Sequence, residues 1–277
     1  MRGVYAVYDN TKMQDIQINF KHGVPLRRLV PLFMLIGIYA VFSMLSPAFL
    51  QWNTAYNLMQ QNSILGIIAL GTTFVLITGG IDFTAGYGLA MVGVTTAKIY
   101  MSTGENIIIM IFCAVILGTV IGLVNGLVIT KLKIQPFIAT LAMMTILQGL
   151  TMIIGEANTP QLTKKDVLFI GNGTVFGFPA PFFIFIGMSF ISAFILYKTR
   201  MGIYTYAIGG NEEAAKSVGV NANKTKLLVY MYAGICTGMA SMIMISRVVI
   251  VMPNMSGTLL LDGIASAVIG GTSVSGG

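Results

Sequence analysis

Charged side chains are scarce in this sequence. Asp, Glu, Lys and Arg make up 9% of the 277 residues, against roughly 25% in soluble domains. Histidine occurs once, which leaves almost no basis for a histidine-ligated metal site or a histidine base. Base-reading motifs are absent, so the net charge of +7 does not indicate nucleic-acid binding. The two cysteines, Cys113 and Cys236, lie inside apolar runs, a spacing that fits neither a disulfide framework nor a zinc site.

Several chemical motifs are also missing. No G-x-x-x-x-G-K-[ST] segment is present, so no Walker loop cradles ATP phosphates. Neither H-E-x-x-H nor G-x-S-x-G occurs. We therefore predict that the chain is not an enzyme and carries no cofactor or metal. If ATP drives its function, another subunit hydrolyses that ATP.

Hydrophobic residues, by contrast, make up 56% of the chain. A soluble fold of this length would expose large apolar patches, whereas a bilayer accommodates them. The runs lack the alternation of barrel strands, so helices are predicted. The expected class is all-α, a polytopic transmembrane bundle with Gly-broken helices and about seven to eight spans. The apolar runs cover residues 29–45, 57–77, 88–101, 107–129, 136–154, 179–197, 227–246 and a stretch from 263 onward.

The distribution of positive charge predicts the orientation. Residues 1–28 are polar and lack the features of a signal peptide, so we interpret them as a cytoplasmic tail before a membrane domain at 29–277. With the N-terminus inside, most Lys and Arg residues fall on the cytoplasmic side. The exceptions are Lys98, Lys164, Lys165 and Arg247. The polar segment 198–226 then forms a long inner loop, as expected of a transporter that docks a cytoplasmic motor.

Glycines recur at a spacing of four at Gly118, Gly122 and Gly126, and again at Gly234 and Gly238. This spacing places them on one helix face and predicts close packing between helices. The alternative is a chance match in a chain that has 32 glycines.

A second glycine pattern, G-G-x-x-x-[ST]-x-G, occurs at 79–86 and again at 270–277. Broken helices at matching places in two repeats are typical of transport pathways at the bilayer midplane. Asp82 and Asp262 are the acidic residues with apolar runs on both sides. Because a carboxylate at membrane depth costs roughly 2.5–3.5 kcal/mol, such residues usually face protein or water. Each is predicted to line a pathway or position a helix, and an interfacial loop is the alternative for both.

Five blocks of sequence carry a resemblance to a known family. They are T-G-G-I-D at 78–82, V-N-G at 124–126, Q-P-F-I-A-T-L at 135–141, A-I-G-G-N-E-E-A-A at 207–215 with Ser217 and Gly219, and L-D-G-I-A at 261–265 with I-G-G-T-S at 269–273. In this order the chain resembles the permease subunits of ribose-, galactose- and xylose-type ABC importers of the bacterial inner membrane, a family with autoinducer and nucleoside relatives. Family members normally continue past the last block, so the resemblance implies that their C-terminal helices are missing here.

The resemblance implies a set of partners. A cytoplasmic ATP-binding cassette subunit would hold ATP and Mg, an extracytoplasmic sugar-binding protein would deliver a pentose or hexose, and a second permease copy or paralogue would complete the pathway in the lipid bilayer. Ribose, xylose, galactose and other relatives stay open as substrates.

The resemblance also implies two groups of functional residues. The contact with the ATPase would be carried by Gly210, Asn211, Glu212, Glu213, Ala214, Ala215, Lys216 and Gly219. The glutamates and Lys216 are predicted to form the charged face of a short helix. Polar groups in the matched blocks or near the broken helices are the candidates for the substrate pathway, namely Asp82, Asn125, Thr140, Asp262 and Thr272.

Two rival functions predict other features. A gradient-driven carrier or channel would contain relays of charged groups within the membrane, and candidates for these are few. A membrane-embedded enzyme would need clustered catalytic groups, which a single histidine with scattered carboxylates does not supply.

Overall fold

The computed structural model describes residues 26–155, 162, 164–248 and 259–277. Within these residues the chain forms eleven α-helices, one 3-10 turn at Pro47–Leu50 and one β-hairpin. The elements are α1 (Leu26–Leu45), α2 (Trp52–Ile77), α3 (Ala85–Ser102), α4 (Ile107–Lys131), α5 (Pro136–Gly155), α6 (Lys165–Asn172), β1 (Thr174–Val175), β2 (Phe178–Pro179), α7 (Ala180–Lys198), α8 (Arg200–Gly210), α9 (Glu212–Ser217), α10 (Ala222–Val248) and α11 (Leu259–Ile269). Residues 1–25 of the predicted tail lie outside the described residues.

The helical class predicted from the sequence is confirmed, whereas the number of spans is not. Each predicted apolar run coincides with one of the helices. Five of them, α2, α4, α5, α7 and α10, are long and apolar enough to cross a membrane. The apolar part of α1 is shorter, at Val30–Leu45, and neither α3 nor α11 qualifies by length and composition.

Helix α1 belongs to a unit of its own, which ends at Ser46, and the helices that follow form a second unit. Its apolar side chains are exposed along most of its length, including Leu32, Phe33 and Leu35. This exposure is expected of a helix whose solvent is lipid.

The second unit is organised around α10, which packs against α2, α3, α4 and α6. Its core contains Phe74 from α2, Leu89 from α3, and Tyr230 and Ile243 from α10, all buried. Helix α3 is also enclosed, because it packs against α4, α5 and α10. Its many Gly, Ala and Thr residues allow this close packing. They also lower the mean hydropathy of the helix, which explains why α3 does not qualify as a candidate span.

The glycine pattern on α4 and α10 marks their line of contact. A Cβ atom built at Gly118 would overlap with the carbonyl oxygen of Gly234, and one at Gly122 would overlap with that of Tyr230. A Cβ at Gly238 would overlap with the carbonyl oxygen of Ala114. The predicted packing role of these glycines is therefore confirmed, since the two backbones approach with no space for a side chain.

Two connections between the long helices contain structure of their own. Helix α6 and the hairpin β1–β2 lie between α5 and α7, and their presence was not predicted. The predicted inner loop at 198–226 folds as α8 and α9, and α9 is the short charged helix that the sequence predicted.

Candidate functional site

Helix α2 ends in a glycine cap that opens the first G-G-x-x-x-[ST]-x-G motif. Gly79 adopts a left-handed conformation with φ of 75°. Its N–H donates to the Leu76 carbonyl at 2.8 Å, and the N–H of Gly80 donates to the Val75 carbonyl at 3.1 Å. This pair of bonds is a Schellman motif, which glycine favours because it has no Cβ to oppose positive φ. The chain then runs without regular structure to Thr84 before α3 begins.

Helix α11 ends in the same way at the second motif. Gly271 has φ of 100°, and its N–H donates to the Val268 carbonyl at 2.9 Å. The N–H of Thr272 donates to the Ala267 carbonyl at 3.1 Å. The left-handed residue is thus the first glycine of one motif, Gly79, and the second glycine of the other, Gly271. Both helix caps have the same pair of backbone hydrogen bonds, but the left-handed glycine stands one position later in the second motif.

Side chains from three elements converge on the segment after α2. Asp82 accepts hydrogen bonds through Oδ1 from the backbone N–H of Thr84, at 2.8 Å, and from the Thr84 hydroxyl. The Nδ2 of Asn125 on α4 donates to Thr84 Oγ1 at 3.0 Å. The Oγ1 of Thr140 on α5 lies 3.1 Å from the Ile81 carbonyl oxygen and 2.9 Å from that of Pro136, both of which accept its single hydrogen.

We call Asp82, Thr84, Asn125, Thr140 and Tyr230 the polar cluster. All five are buried. The Tyr230 hydroxyl lies beside the segment, because a Cβ at Gly80 would be 2.7 Å from its oxygen. Asn125 Oδ1 and the Tyr230 hydroxyl are buried without a hydrogen-bond partner among the described residues. Burying a polar atom without a hydrogen-bond partner costs free energy. A ligand or a water that bonds to these two atoms would therefore be stabilised.

Two members of the polar cluster were not predicted as site residues. Thr84 is the [ST] position of the first glycine motif, so the sequence did contain a signal for it. Tyr230 lies within an apolar run of α10, where a tyrosine resembles ordinary core. Only packing against Gly80 assigns it to the cluster.

Asp262 and Thr272 take no part in the hydrogen bonds of the polar cluster. Asp262 is exposed in the first turn of α11, and its carbonyl accepts from Ser266. Thr272 is half-buried in the cap of α11. Of the five predicted pathway residues, the structure brings together Asp82, Asn125 and Thr140.

The polar cluster lies near the ends of α4 and α5, not near their middles. Asn125 lies six residues before Lys131, the last residue of α4, which corresponds to about 9 Å along the helix axis. Thr140 lies four residues after Pro136, the first residue of α5, or about 6 Å. The cluster therefore lies near the α4–α5 connection.

The predicted ATPase contact is a compact helical corner. Asn211 caps α9, because its Oδ1 accepts from the N–H of Ala214 at 2.9 Å. Gly219 ends the helix with φ of 87°. Ala215 is the buried member and packs with Ile208 of α8 and Ala222 of α10. The exposed members are Gly210, Asn211, Glu213, Ala214, Lys216 and Gly219.

Glu212 joins α9 to α10 through ion pairs. Its carboxylate lies 2.6 Å from Lys226 Nζ and 3.1 Å from Lys216 Nζ. Partial burial alone would raise the pKa of Glu212, but hydrogen bonds from Lys226 and Lys216 outweigh it and lower that pKa. The bonds to Glu212 and Glu213 raise the pKa of Lys216. The corner therefore keeps its charges across the neutral range.

A cavity of about 850 Å³ separates this corner from the α4–α5 connection. Its charged lining residues are Lys133, Glu212, Lys216 and Lys226. Val218, at the end of α9, is an apolar side chain that is 80% exposed. It was not predicted, and it adds an apolar contact point to an otherwise charged surface.

Helix α8, which leads into the corner, also contacts the end of α2, the helix that precedes the Asp82 segment. A Cβ at Gly209 on α8 would overlap with the carbonyl oxygen of Ile77, the last residue of α2. Gly276 also lies close to this junction, since a Cβ there would be 2.9 Å from the Gly209 carbonyl oxygen and 3.3 Å from the Gly79 nitrogen. The end of α8, the cap of α2 and the second glycine motif thus meet at one point.

Comparisons with known proteins establish the family of the chain. Residues 54–277 match the family described as "Branched-chain amino acid transport system / permease component". The ribose import permease of Escherichia coli K12 is 39% identical over 251 residues, which cover 89% of this chain and 78% of that protein. The ribose import permease of Haemophilus influenzae is 36% identical over 269 residues, 96% of this chain and 83% of that protein. The D-allose transport system permease of E. coli K12 is 31% identical over 246 residues, 88% of this chain and 76% of that protein.

No solved structure matches the chain. The family match covers most of the sequence, and the similar curated proteins are permeases of sugar transport systems. The resemblance predicted from the five blocks is therefore confirmed. The chain belongs to the family of permease subunits of ATP-binding-cassette sugar importers.

Proposed function

We propose that this chain translocates a monosaccharide, a pentose or hexose, across the bacterial inner membrane, with ATP hydrolysed by a separate cytoplasmic subunit. The names of its relatives, which refer to ribose, D-allose and galactofuranose, support this substrate class. An extracytoplasmic binding protein delivers the sugar, and a second permease completes the pathway. The N-terminus and the α8–α9 corner lie on the cytoplasmic side.

The proposal rests on the contact of Gly209 in α8, the helix before the exposed α9, with Ile77 at the end of α2, from which the chain continues to Asp82 of the polar cluster. An ATPase that moves α9 also moves the end of α2, because Gly209 and Ile77 have no space between them. The segment after α2 would then shift relative to Asn125 and Thr140, which hold it from two other helices. In this proposal the polar cluster forms the cytoplasmic end of the pathway and opens when ATP is used.

The unpartnered atoms of the polar cluster support a role in handling sugar. A sugar hydroxyl both donates and accepts hydrogen bonds, so it can donate to Asn125 Oδ1 and accept from the Tyr230 hydroxyl. Both atoms are inaccessible in this conformation, so the contact requires the cluster to open. Asp82 remains bonded to Thr84 in the closed arrangement and orients the segment. Asp262 and Thr272 are proposed to contribute in a different conformation or at the interface with the second permease.

The test is uptake by proteoliposomes that contain the chain with its ATPase and binding protein. We expect uptake of labelled ribose or D-allose only when ATP is present on the side of α9. Asp82→Ala and Asn125→Ala should each reduce uptake, and unchanged uptake would remove that residue from the pathway. Uptake without ATP, driven by an ion gradient, would overturn the importer proposal and favour a carrier.

A second measurement tests the predicted ATPase contact at residues 210–219. We expect the ATPase to co-purify with the unaltered chain, and alanine substitutions across residues 211–216 to release it. Retention of the ATPase by these variants would contradict the proposed docking site without affecting the family assignment.

A further inference from the structure

The hairpin β1–β2 presents an aromatic side chain at its tip in an unfavourable backbone conformation. Phe176 and Gly177 form the two-residue turn, with φ of 49° and 84°, and Val175 pairs with Phe178 across it. Two positive φ values characterise a type I′ turn, which favours Asn-Gly because a bulky side chain is strained at the first position. Phe176 nevertheless stands there and is 92% exposed. The described residues that pack around the hairpin provide no reason for this ring.

The hairpin is held firmly against the ends of two membrane helices. The Ala180 N–H, at the start of α7, donates to the Gly173 carbonyl at 2.8 Å. The Phe178 ring contacts Trp52, the first residue of α2, edge-on with centroids 5.4 Å apart. The Tyr56 hydroxyl hydrogen-bonds to Thr174 Oγ1 at 2.8 Å. Phe176 is therefore presented by a fixed support and not by a loose loop.

The length of α7 locates this support relative to the bilayer. Its 19 residues extend about 28 Å, close to the roughly 30 Å hydrocarbon core. Ala180 therefore lies at one boundary of the core. The tip of the hairpin extends about three residues beyond Ala180, or at most roughly 10 Å. This reach is comparable with the headgroup layer, which is about 5–7 Å thick on each side.

The chemistry of the segment favours lipid over a protein partner. No charged residue occurs between Asp166 and Lys198, whereas docking surfaces for proteins usually have a polar rim and complementary charges. Exposed aromatic side chains accompany Phe176 at this level, including Trp52 and Phe178. Aromatic rings concentrate at the membrane–water interface, where an apolar face and a nearby polar phase are both satisfied.

We propose that Phe176 anchors the hairpin in the headgroup layer of the bilayer and fixes the height of α2 and α7 in the membrane. The lipid contact compensates for the strain of the turn. The anchor involves only the ends of these two helices. It is therefore independent of the orientation of the chain and of the substrate that it carries.

The chain contains a single tryptophan, which allows a direct test. The double variant Trp52→Phe and Phe176→Trp of the full chain carries its only indole at the hairpin tip. It is placed in phosphatidylglycerol vesicles with lipids brominated either near the headgroup or deep in the acyl chain. We expect blue-shifted emission and stronger quenching by the shallow bromines. The unaltered chain, whose Trp52 marks the helix end, provides the reference.

Two outcomes would overturn the proposal. Emission typical of water, unquenched by either brominated lipid, would place the tip outside the bilayer. Emission that shifts only when the extracytoplasmic binding protein is added would make that protein the partner.

Phe176→Asn provides the matched control, because Asn suits the turn and removes the ring. We expect its melting temperature in detergent to equal or exceed that of the unaltered chain. A lower melting temperature would mean that the ring packs on the protein, and would also overturn the proposal.

Discussion

The α-carbon of Gly209 faces the carbonyl oxygen of Ile77 so closely that no side chain fits between α8 and the end of α2. Gly210, the next residue, has open space around its own Cβ direction. These adjacent glycines therefore have different roles. Gly209 lies at the contact between α8 and the end of α2, and Gly210 does not.

Gly209→Ala should impair transport much more than Gly210→Ala. The added methyl group forces α8 away from α2 at a cost of about 1–3 kcal/mol, as for other overpacked contacts. A change of 1.4 kcal/mol is about tenfold in an equilibrium, so we expect uptake to fall by about tenfold or more. Uptake and ATP hydrolysis are measured on the same proteoliposomes. Retained hydrolysis in Gly209→Ala would mean uncoupling, whereas equal uptake by the two variants would refute a role for this contact.

Gly118→Ala on α4 should destabilise the bundle. Its Cβ would overlap with the Gly234 carbonyl oxygen, a backbone atom that cannot rotate away. We expect a loss of about 1–3 kcal/mol, visible as a lower melting temperature in detergent. Gly187→Ala on α7 is the control, because nothing lies near its Cβ direction. Alanine is favoured over glycine in helices by about 1 kcal/mol, so this control should melt at the same or a higher temperature.

Thr84→Val should disrupt the polar cluster while Thr84→Ser preserves it. The Thr84 hydroxyl both donates to Asp82 and accepts from Asn125, so valine leaves the buried Asn125 amide N–H without a partner and removes one of the two hydrogen bonds to Asp82. An unsatisfied buried group costs about 1–3 kcal/mol. Uptake and thermal stability should both fall for valine and stay near normal for serine. Equal uptake and equal thermal stability of Thr84→Val and Thr84→Ser would show that the hydrogen bonds through the Thr84 hydroxyl contribute to neither.

Glu212→Gln should weaken ATPase binding more than Glu213→Gln. Glu212 contacts Lys216 and Lys226, whereas the Glu213 side chain is largely exposed and contacts Lys216 alone. Exposed ion pairs contribute little individually, so we expect a loss of a few-fold in affinity that diminishes at high salt. Co-purification of the ATPase at two salt concentrations measures this. A larger effect of Glu213→Gln would point to direct contact of Glu213 with the ATPase.

The same ion pairs predict how the corner responds to pH. The pKa of Glu212 is lowered in the folded chain, so its contribution is complete above the ordinary value of 4.5 and is lost as the pH falls through the lowered value. ATPase retention should therefore be constant from neutral pH down to about pH 5. The Glu212→Gln variant, measured in parallel, should lack this acid-dependent step. A step near pH 6–7 in the unaltered chain would require a different titrating group.

Much of the candidate site could be predicted from the sequence, because short sequence patterns identify its residues. The positions of Asn211 and Gly219 follow from helix capping, which depends on a few neighbouring residues. Asp82 was predicted as a pathway residue because burying a carboxylate between apolar runs costs free energy in a membrane. The grouping of Asp82 with Asn125 and Thr140, in contrast, depends on how α4 and α5 pack. No local pattern specifies that arrangement.

The sequence by itself determined the membrane class, the family, the helical runs, the glycine faces of α4 and α10 and the charged helix α9. The family and the position of α9 follow from the resemblance carried by the five sequence blocks, and the other features follow from local periodicity and hydropathy. Only the tertiary structure decided that α3 is enclosed, and that Tyr230 joins the polar cluster while Asp262 and Thr272 do not. It also decided that Gly209 meets Ile77. Such contacts join residues far apart in the chain, and they depend on the lengths and packing of whole helices.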